Sequence, residues 1–254
     1  MKVLAAYNIK GGVGKTAAAV NLAVLAAQDG LRTLLWDLDP QGAASFLLRV
    51  RPKVKGGGRK LVRGRSELPD LLRGTDTEGL DLLPADFSYR HLDLALDDTK
   101  RPIQRLARLV APLAEHYDLL LVDCQPSISL VSESVFDAAD ALVVPLIPTP
   151  LSLRTFDQLV DYVSSEVQRR PEIVGFFSMV DGRKRLHRDL VAQLPRDRKE
   201  VAPIAIPAAT EVEQMAVHRQ AVVDSAPTSR AAVAYRELWA AVRARAGITA
   251  APAG

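Results

Sequence analysis

Hydrophobic residues in this chain fall in short, nearly continuous runs separated by helix-length amphipathic stretches. The runs are Val3–Tyr7, Thr33–Trp36, Leu80–Leu83, Leu119–Val122, Ala141–Leu146, Val174–Met179 and Ile204–Ile206. Runs with so little polar alternation predict strands covered on both faces, as in a parallel sheet. Between them the pattern predicts helices over about Lys15–Gln28, Pro102–Glu115, Ser152–Arg169, Leu186–Gln193 and Arg230–Arg245. Such alternation predicts an α/β fold, a doubly wound and mostly parallel sheet flanked by helices on both faces. Sheets of this kind bind ligands beyond the carboxyl ends of their strands, so the residues that follow each run are where chemistry is expected. No repeat or linker divides the chain, which predicts a single domain over residues 1–254 with a flexible tail at 247–254.

The chain has 254 residues, 48% hydrophobic and 25% charged, enough for one large core. A single cysteine, Cys124, excludes a disulfide framework and any multi-cysteine zinc or iron–sulfur site. It is expected to be a small buried hydrophobe. No apolar run approaches the roughly 20 residues that span a bilayer, and the N-terminal residues lack a signal-peptide pattern. A cytoplasmic protein is therefore expected.

The net charge of +3 matters only through its distribution. Arg49, Arg51, Lys53, Lys55, Arg59, Lys60, Arg63 and Arg65 lie together with no acid among them, and without them the remainder carries a net −5. Pro52 and Gly56-Gly57-Gly58 interrupt helix and strand patterns, which predicts a basic, Gly-rich loop insertion over 49–65. Two readings of that loop stand open. It is either a hand for a polyanion, drawing on counterion release, or a solvated insertion that keeps the protein soluble.

The first run leads straight into Asn8-Ile9-Lys10-Gly11-Gly12-Val13-Gly14-Lys15-Thr16 and then a helix-forming, Ala-rich stretch from Ala17 onward. Glycines there let successive backbone N–H groups aim at phosphate oxygens, and the helix N-terminus adds its partial positive charge. Lys15 would reach the β- and γ-phosphates, and the Thr16 hydroxyl would ligate Mg²⁺. The pattern G-x-x-x-x-G-K-[ST] is not met in full, because Ile9 occupies the first glycine position and a second lysine, Lys10, precedes the glycines.

Carboxylates close two other runs. Asp37 and Asp39 leave the second strand on the same side of the extended chain, and phosphoanhydride hydrolysis needs an acceptor that orients the attacking water. Asp123 ends the apolar run Leu119–Val122, where a carboxylate can hold a Mg²⁺-bound water.

Lys10-Gly11-Gly12-Val13-Gly14-Lys15-Thr16 resembles the deviant phosphate loop of the ParA/MinD superfamily of P-loop ATPases, in its ParA-like branch. Asp37-Leu38-Asp39-Pro40-Gln41-Gly42 is similar to the family's second acidic motif. Further likeness runs through Glu78–Ala85, Pro148-Thr149-Pro150, Met179-Val180-Asp181-Gly182-Arg183 and Ile206-Pro207. Almost the whole chain is covered, apart from the basic loop and the last residues. The resemblance implies ATP and Mg²⁺ as cofactors, with Lys10, Lys15 and Asp39 catalytic and Thr16, Asp39 and Asp123 at the metal. Lys10 would reach the nucleotide of a partner copy in an ATP-sandwich homodimer, and Asp39 would position the water. Residues Lys10 to Ala17 would cradle the phosphates, while Met179 and Pro207 would flank the adenine. Relatives bind double-stranded DNA without sequence preference, which makes Arg183, Lys184, Arg185, Arg196, Arg198, Lys199 and Arg230 the DNA-contact candidates here. One departure stands out: Asp123-Cys124-Gln125-Pro126 has Gln125 where the family usually has a proline.

The resemblance thus implies a slow, partner-stimulated ATPase, cytoplasmic and nucleoid-associated when ATP-bound. It would position a plasmid, a chromosomal origin or a protein assembly, with a ParB-like or adaptor protein on the cargo as its activator. The alternative is a MinD-like regulator at the membrane surface, although the end of the chain, Gly247–Gly254, has little apolar area to insert. Without an N-terminal helix-turn-helix extension, sequence-specific operator binding is not expected.

Overall fold

All seven apolar runs become strands of one sheet. The computed structural model describes residues 1–64, 66 and 68–249. Its strands are β1 (Lys2–Ala6), β2 (Thr33–Asp37), β3 (Arg73–Gly74), β4 (Leu80–Leu83), β5 (Leu119–Asp123), β6 (Ala141–Leu146), β7 (Glu172–Val180) and β8 (Val201–Pro207). They are ordered β3-β4-β2-β5-β1-β6-β7-β8. Neighbours are parallel except the two-residue β3, which runs antiparallel to β4 at one edge. The chain leaves β1 toward β2 on one side and later returns to β6 on the other, which puts the switch point of the topology at the carboxyl end of β1.

Helices α1 (Lys15–Gln28), α2 (Ala43–Leu47), α3 (Gly57–Val62), α4 (Leu68–Leu71) and α5 (Leu92–Asp97) occupy the first half of the chain. They are followed by α6 (Arg105–Val110), α7 (Leu130–Ala138), α8 (Pro150–Glu166) and α9 (Arg185–Asp197). The chain ends with α10 (Thr210–Glu213), α11 (Met215–His218), α12 (Val222–Ser225) and α13 (Arg230–Ala246). Alternate strand residues feed two cores. Leu4, Leu35, Leu121, Val143 and Phe176 pack with α1, α2, α12 and α13 on one face. Tyr7, Trp36, Val122, Val144 and Phe177 pack with α3 and α5 to α8 on the other. Burial on both faces is why the strands read as unbroken apolar runs.

Three expectations are corrected. The helix expected over Pro102–Glu115 divides into α6 and a 3₁₀ turn at Ala111–Glu115, because Pro112 cannot donate the next helical hydrogen bond. The helix expected to end at Gln193 continues to Asp197 with Pro195 inside it.

The basic segment is the third correction: it is folded rather than irregular. Gly56, at φ 90°, starts α3, whose Leu61 and Val62 are buried together with Val54. Val54 N–H donates to Asp86 Oδ2 at 2.9 Å and Gly58 N–H to Ser88 Oγ at 2.7 Å. Of the glycines that looked like breakers, Gly56 and Gly57 hold left-handed backbone, while Gly58 is a close-packing residue, since a Cβ there would sit 2.8 Å from Tyr89 Cδ1. Arg65 lies outside the described residues. Of the expected tail, Gly247 closes α13 and Ile248 packs on the core, while 250–254 lie outside the described residues.

Two arginines, Arg49 and Arg219, hold left-handed backbone at the ends of α2 and α11. Each reaches across to the other helix: Arg49 Nη2 donates to His218 O at 3.1 Å, and Arg219 Nε donates to Phe46 O at 2.8 Å. The Arg219 guanidinium also lies 4.7 Å from the centre of the Phe46 ring.

Because Tyr89 and Leu92 leave no room beside Gly58, a Gly58→Ala substitution is expected to lift α3 from its seat. Urea denaturation should show a loss of about 1–3 kcal/mol.

Candidate nucleotide-binding site

The loop after β1 is braced by Asn8, whose Nδ2 donates to Pro145 O at 2.8 Å and whose Oδ1 accepts the Lys10 N–H at 2.9 Å. Gly12 and Gly14 take φ of 69° and 94°. No side chain caps the start of α1 at Gly14; the first N–H groups of a helix have no partner within it, the arrangement that suits an anion. Gly14 also lies directly on β7, where a Cβ would come within 2.8 Å of Ser178 Oγ. Gly11 and Gly12 are exposed, Val13 is buried, and Lys10, Thr16 and Ala17 are half-buried.

Lys15 is only 6% exposed, and its Nζ donates to Lys10 O at 3.2 Å. Burial pulls its pKa below the ordinary lysine value, against the pull of the Asp123 and Asp39 carboxylates. Asp37 and Asp123 are register partners at the carboxyl ends of β2 and β5, and both are fully buried. Asp37 Oδ2 accepts the Ser45 N–H and Oγ–H, each at 2.7 Å, and Ser45 Oγ accepts the Ala85 N–H at 2.9 Å. Asp37 Oδ1 and both oxygens of Asp123 have no hydrogen-bond partner. Burial pushes Asp37 up to about 6 and Asp123 well above the usual carboxylate range; the neighbouring Asp37 adds to the rise at Asp123 and the Thr16 hydroxyl opposes it.

Three orphaned, buried carboxylate oxygens beside a hydroxyl are a hard donor set that fits Mg²⁺. Among the described residues no group of three or more His, Cys, Asp or Glu could hold a metal by itself. Mg²⁺ suits that arrangement, because it is usually held by one or two carboxylates together with phosphates and water. Asp39 is half-buried at the next turn, its Oδ1 accepting the Gln41 N–H at 2.9 Å. The segment after Asp123 is tethered by Tyr7, whose hydroxyl donates to Ser127 O at 2.8 Å, and Gln125 is half-buried within it. Cys124 is buried, and burial pushes its thiol pKa up, which keeps it protonated.

Met179 stands at φ 54°, left-handed and 41% exposed, immediately after Ser178. Pro207 pairs with Val180 across β7 and β8 and borders a cavity of about 580 Å³ whose wall includes Arg183, Thr228 and Arg230. Both adenine candidates therefore lie at the same end of the sheet as the glycine loop.

The seven DNA candidates do not form one patch. Arg183, Lys184, Arg185 and Arg230 are exposed at the carboxyl end of the sheet, with Arg183 held by Asp181 at 3.0 Å and Arg185 by Asp189 at 3.5 Å. Arg196 lies in the last turn of α9, and Arg198 and Lys199 precede β8 at the opposite end, a strand length of about 20 Å away. Arg198 is engaged by Asp157 and Glu200, at 2.5 and 3.4 Å.

Asn8, Ser45 and Ser178 are site residues that the sequence reading left without a role. Ser178 carried a signal: a lone polar residue within a run read as doubly buried must have a specific neighbour. Ser45 carried none, since nothing local links it to Asp37.

A family model of the AAA domain (AAA_31) matches residues 1–173. The chromosome partitioning protein ParA of Caulobacter vibrioides is 34% identical over 193 residues, 73% of this chain and 72% of its own. The chain belongs to the ParA/MinD superfamily of P-loop ATPases. Within that superfamily the sporulation initiation inhibitor protein Soj of Bacillus subtilis is 29% identical over 243 residues, 93% of this chain and 96% of its own. A solved structure of cobyrinic acid a,c-diamide synthase from Mycobacterium smegmatis, with bound ATP analogue and magnesium, superposes with a TM-score of 0.78 at 27% identity. It covers 100% of this chain and 99% of the other.

Asp37 has a folded pKa above its unfolded value, so its ionisation opposes folding. The penalty is absent below about pH 4, grows as the pH rises toward 6 and is complete above it, at roughly 3 kcal/mol. In an Asp37→Asn variant, urea denaturation in EDTA across pH 4–7 should show a shallower fall of stability with pH than the unsubstituted protein.

Proposed function

We propose that this ParA-like ATPase closes on ATP and Mg²⁺ as a face-to-face homodimer, holds double-stranded DNA without sequence preference, and hydrolyses ATP to release it, thereby segregating or positioning a cargo. The observation that carries the reading is the burial of Lys15 near Asp123, whose strand partner is Asp37, with three oxygens of those two carboxylates left without partners, at the mouth of a glycine loop. Such a charge group is costly unless something of opposite character completes it. A polyphosphate with its divalent cation does so: the anion suits Lys15 and the open α1 N-terminus, the cation the carboxylates.

In this reading the N–H groups from Gly11 to Thr16 and the Lys15 ammonium bind and orient the phosphates. Thr16, Asp39 and Asp123 would hold Mg²⁺, which when bound spreads the charge of the β- and γ-phosphates. Asp39 orients the attacking water. Lys10, half-buried at the exposed rim of the loop, lends its ammonium to the pocket of the second copy. Met179 and Pro207 flank the base. DNA phosphates meet Arg183, Lys184, Arg185 and Arg230 at the carboxyl end, with Arg196 and Lys199 as outlying contacts. An activator on the cargo stimulates turnover. The relatives Soj, a sporulation initiation inhibitor, and ParA, a chromosome partitioning protein, support the positioning role.

The membrane alternative has less support. Tyr235, Leu238, Trp239 and Val242 of α13 are buried against the body and offer nothing to a bilayer. Among the described residues no helix is long and apolar enough to cross a membrane.

Two substitutions separate binding from hydrolysis. Lys15→Ala is expected to weaken ATP binding about a hundredfold in calorimetry, the equivalent of about 3 kcal/mol; undiminished affinity would refute the site. Asp39→Ala should keep ATP and the dimer while phosphate release slows by about two orders of magnitude or more, and normal turnover would remove Asp39 from its water-positioning role.

A further inference from the structure

Asp39 stands on a turn whose own bonds shape it without placing it. Asp39 Oδ1 accepts the Gln41 N–H and Asp39 O accepts the Gly42 N–H, each at 2.9 Å. Among the described residues no hydrogen bond of residues 39–44 reaches past Leu48. The turn is therefore held by its two ends. At the front, Leu38 N–H donates to Asp123 O at 3.0 Å. At the back stands Ser45, in the first turn of α2, where a backbone N–H has no partner within its own helix. Gly42 offers no side-chain cap there. The Asp37 carboxylate, at the end of β2, accepts that N–H instead, and the Ser45 hydroxyl donates to the same oxygen. The hydroxyl oxygen in turn accepts the N–H of Ala85, just past β4. One side chain thus ties α2 to the ends of two paired strands.

We infer that Ser45 is a positioning residue for hydrolysis: its hydroxyl, bridging Asp37 and Ala85, fixes where the turn between β2 and α2 presents Asp39 to the attacking water. The inference rests on the reading of Asp39 as the residue that orients that water.

Asp37, Ser45 and Ala85 are all fully buried, so water does not compete for the bridge, and a partner left unmatched there is costly. Sealed from solvent, Ser45 cannot meet a nucleotide, and its influence on the reaction passes through the chain it holds. An apolar residue at position 45 keeps the backbone bond to Asp37 but strands the Ala85 N–H without an acceptor. Packing repeats the attachment. Gly42 takes left-handed backbone at φ 68°, and a Cβ there would lie 3.1 Å from Pro52 Cβ and 3.5 Å from Ala85 Cβ. Ala85 therefore meets the turn twice, through Ser45 and beside Gly42. The glycine loop is braced separately, by Asn8 and against Ser178. Loosening Ser45 accordingly moves Asp39 while the groups that hold the phosphates stay in place. A misplacement of about 1 Å in a positioning group costs on the order of a hundredfold in rate, and a partial loosening costs less.

The test is phosphate release by the full chain at saturating Mg-ATP, with ATP affinity measured by calorimetry. Ser45→Ala is expected to lower kcat about tenfold or more while ATP affinity stays within about twofold. Ser45→Cys, close in shape but a weaker donor and acceptor, should fall between that variant and the unsubstituted protein. It carries the same comparison if circular dichroism shows the Ala variant unfolded. The deciding measurement repeats both substitutions in an Asp39→Ala background. A residue that acts through Asp39 then has nothing left to place, so the double variants should release phosphate within about twofold of the Asp39→Ala rate. A further loss of about tenfold in that background would mean that Ser45 acts elsewhere, and would overturn the inference. Unchanged kcat in both single variants, or a loss confined to ATP affinity, would overturn it as well and leave the role of Asp39 standing. Normal turnover by Asp39→Ala alone would remove the reading of Asp39 and the inference with it.

Discussion

The structure is organised around an electrostatic conflict that the fold itself creates. Parallel strands β2 and β5 lie side by side in register, so the residues that end them, Asp37 and Asp123, arrive at the same depth and cannot turn away from each other. Both are sealed from water, and Ser45 satisfies only one of the four carboxylate oxygens. Lys15, the nearest cation, is itself desolvated. A sheet without a ligand would be more stable with apolar residues at these positions. Keeping charge there makes sense for a protein whose folded state is completed by something that binds.

The surroundings of that group are correspondingly rigid. Asn8 ties the glycine loop to β6, Gly14 rests on Ser178 of β7, and Tyr7 fastens the segment after Asp123. The phosphate loop is therefore held by β6 and β7 as well as by the strand that precedes it. The base candidates Met179 and Pro207 continue from β7, which supports Gly14, and from its neighbour β8, so the glycine loop and these two residues share one frame.

Much of this was legible in the sequence because burial on both faces writes itself as unbroken apolar runs: Leu119–Val122 or Ala141–Leu146 could be little else. The glycine loop and the strand-end aspartates were legible for a related reason, since polar residues at fixed points after such runs have few structural explanations. Tertiary proximity was not. Gly58 looks like part of a breaker until Tyr89 and Leu92, some thirty residues on, are seen to leave no room for a side chain there. Nothing local to Arg198 shows that Asp157, some forty residues earlier on α8, pairs with it. The partition of the basic residues between two ends of the sheet likewise follows from strand direction and not from local pattern. β3, two residues long, is too brief for any periodicity to register.

The crossed arginines at the ends of α2 and α11 carry a consequence for how such a chain can change over time. Each stands in a backbone conformation that glycine would hold at lower cost, and each supplies a hydrogen bond to the neighbouring helix instead of its own. Replacing one by glycine relaxes its own turn and strips the other helix of its donor, while the bond made by the remaining arginine stands. Positions 49 and 219, far apart in the chain, can therefore change one at a time. The clasp between the segment after Asp39 and the C-terminal part of the chain loosens by halves instead of failing at once.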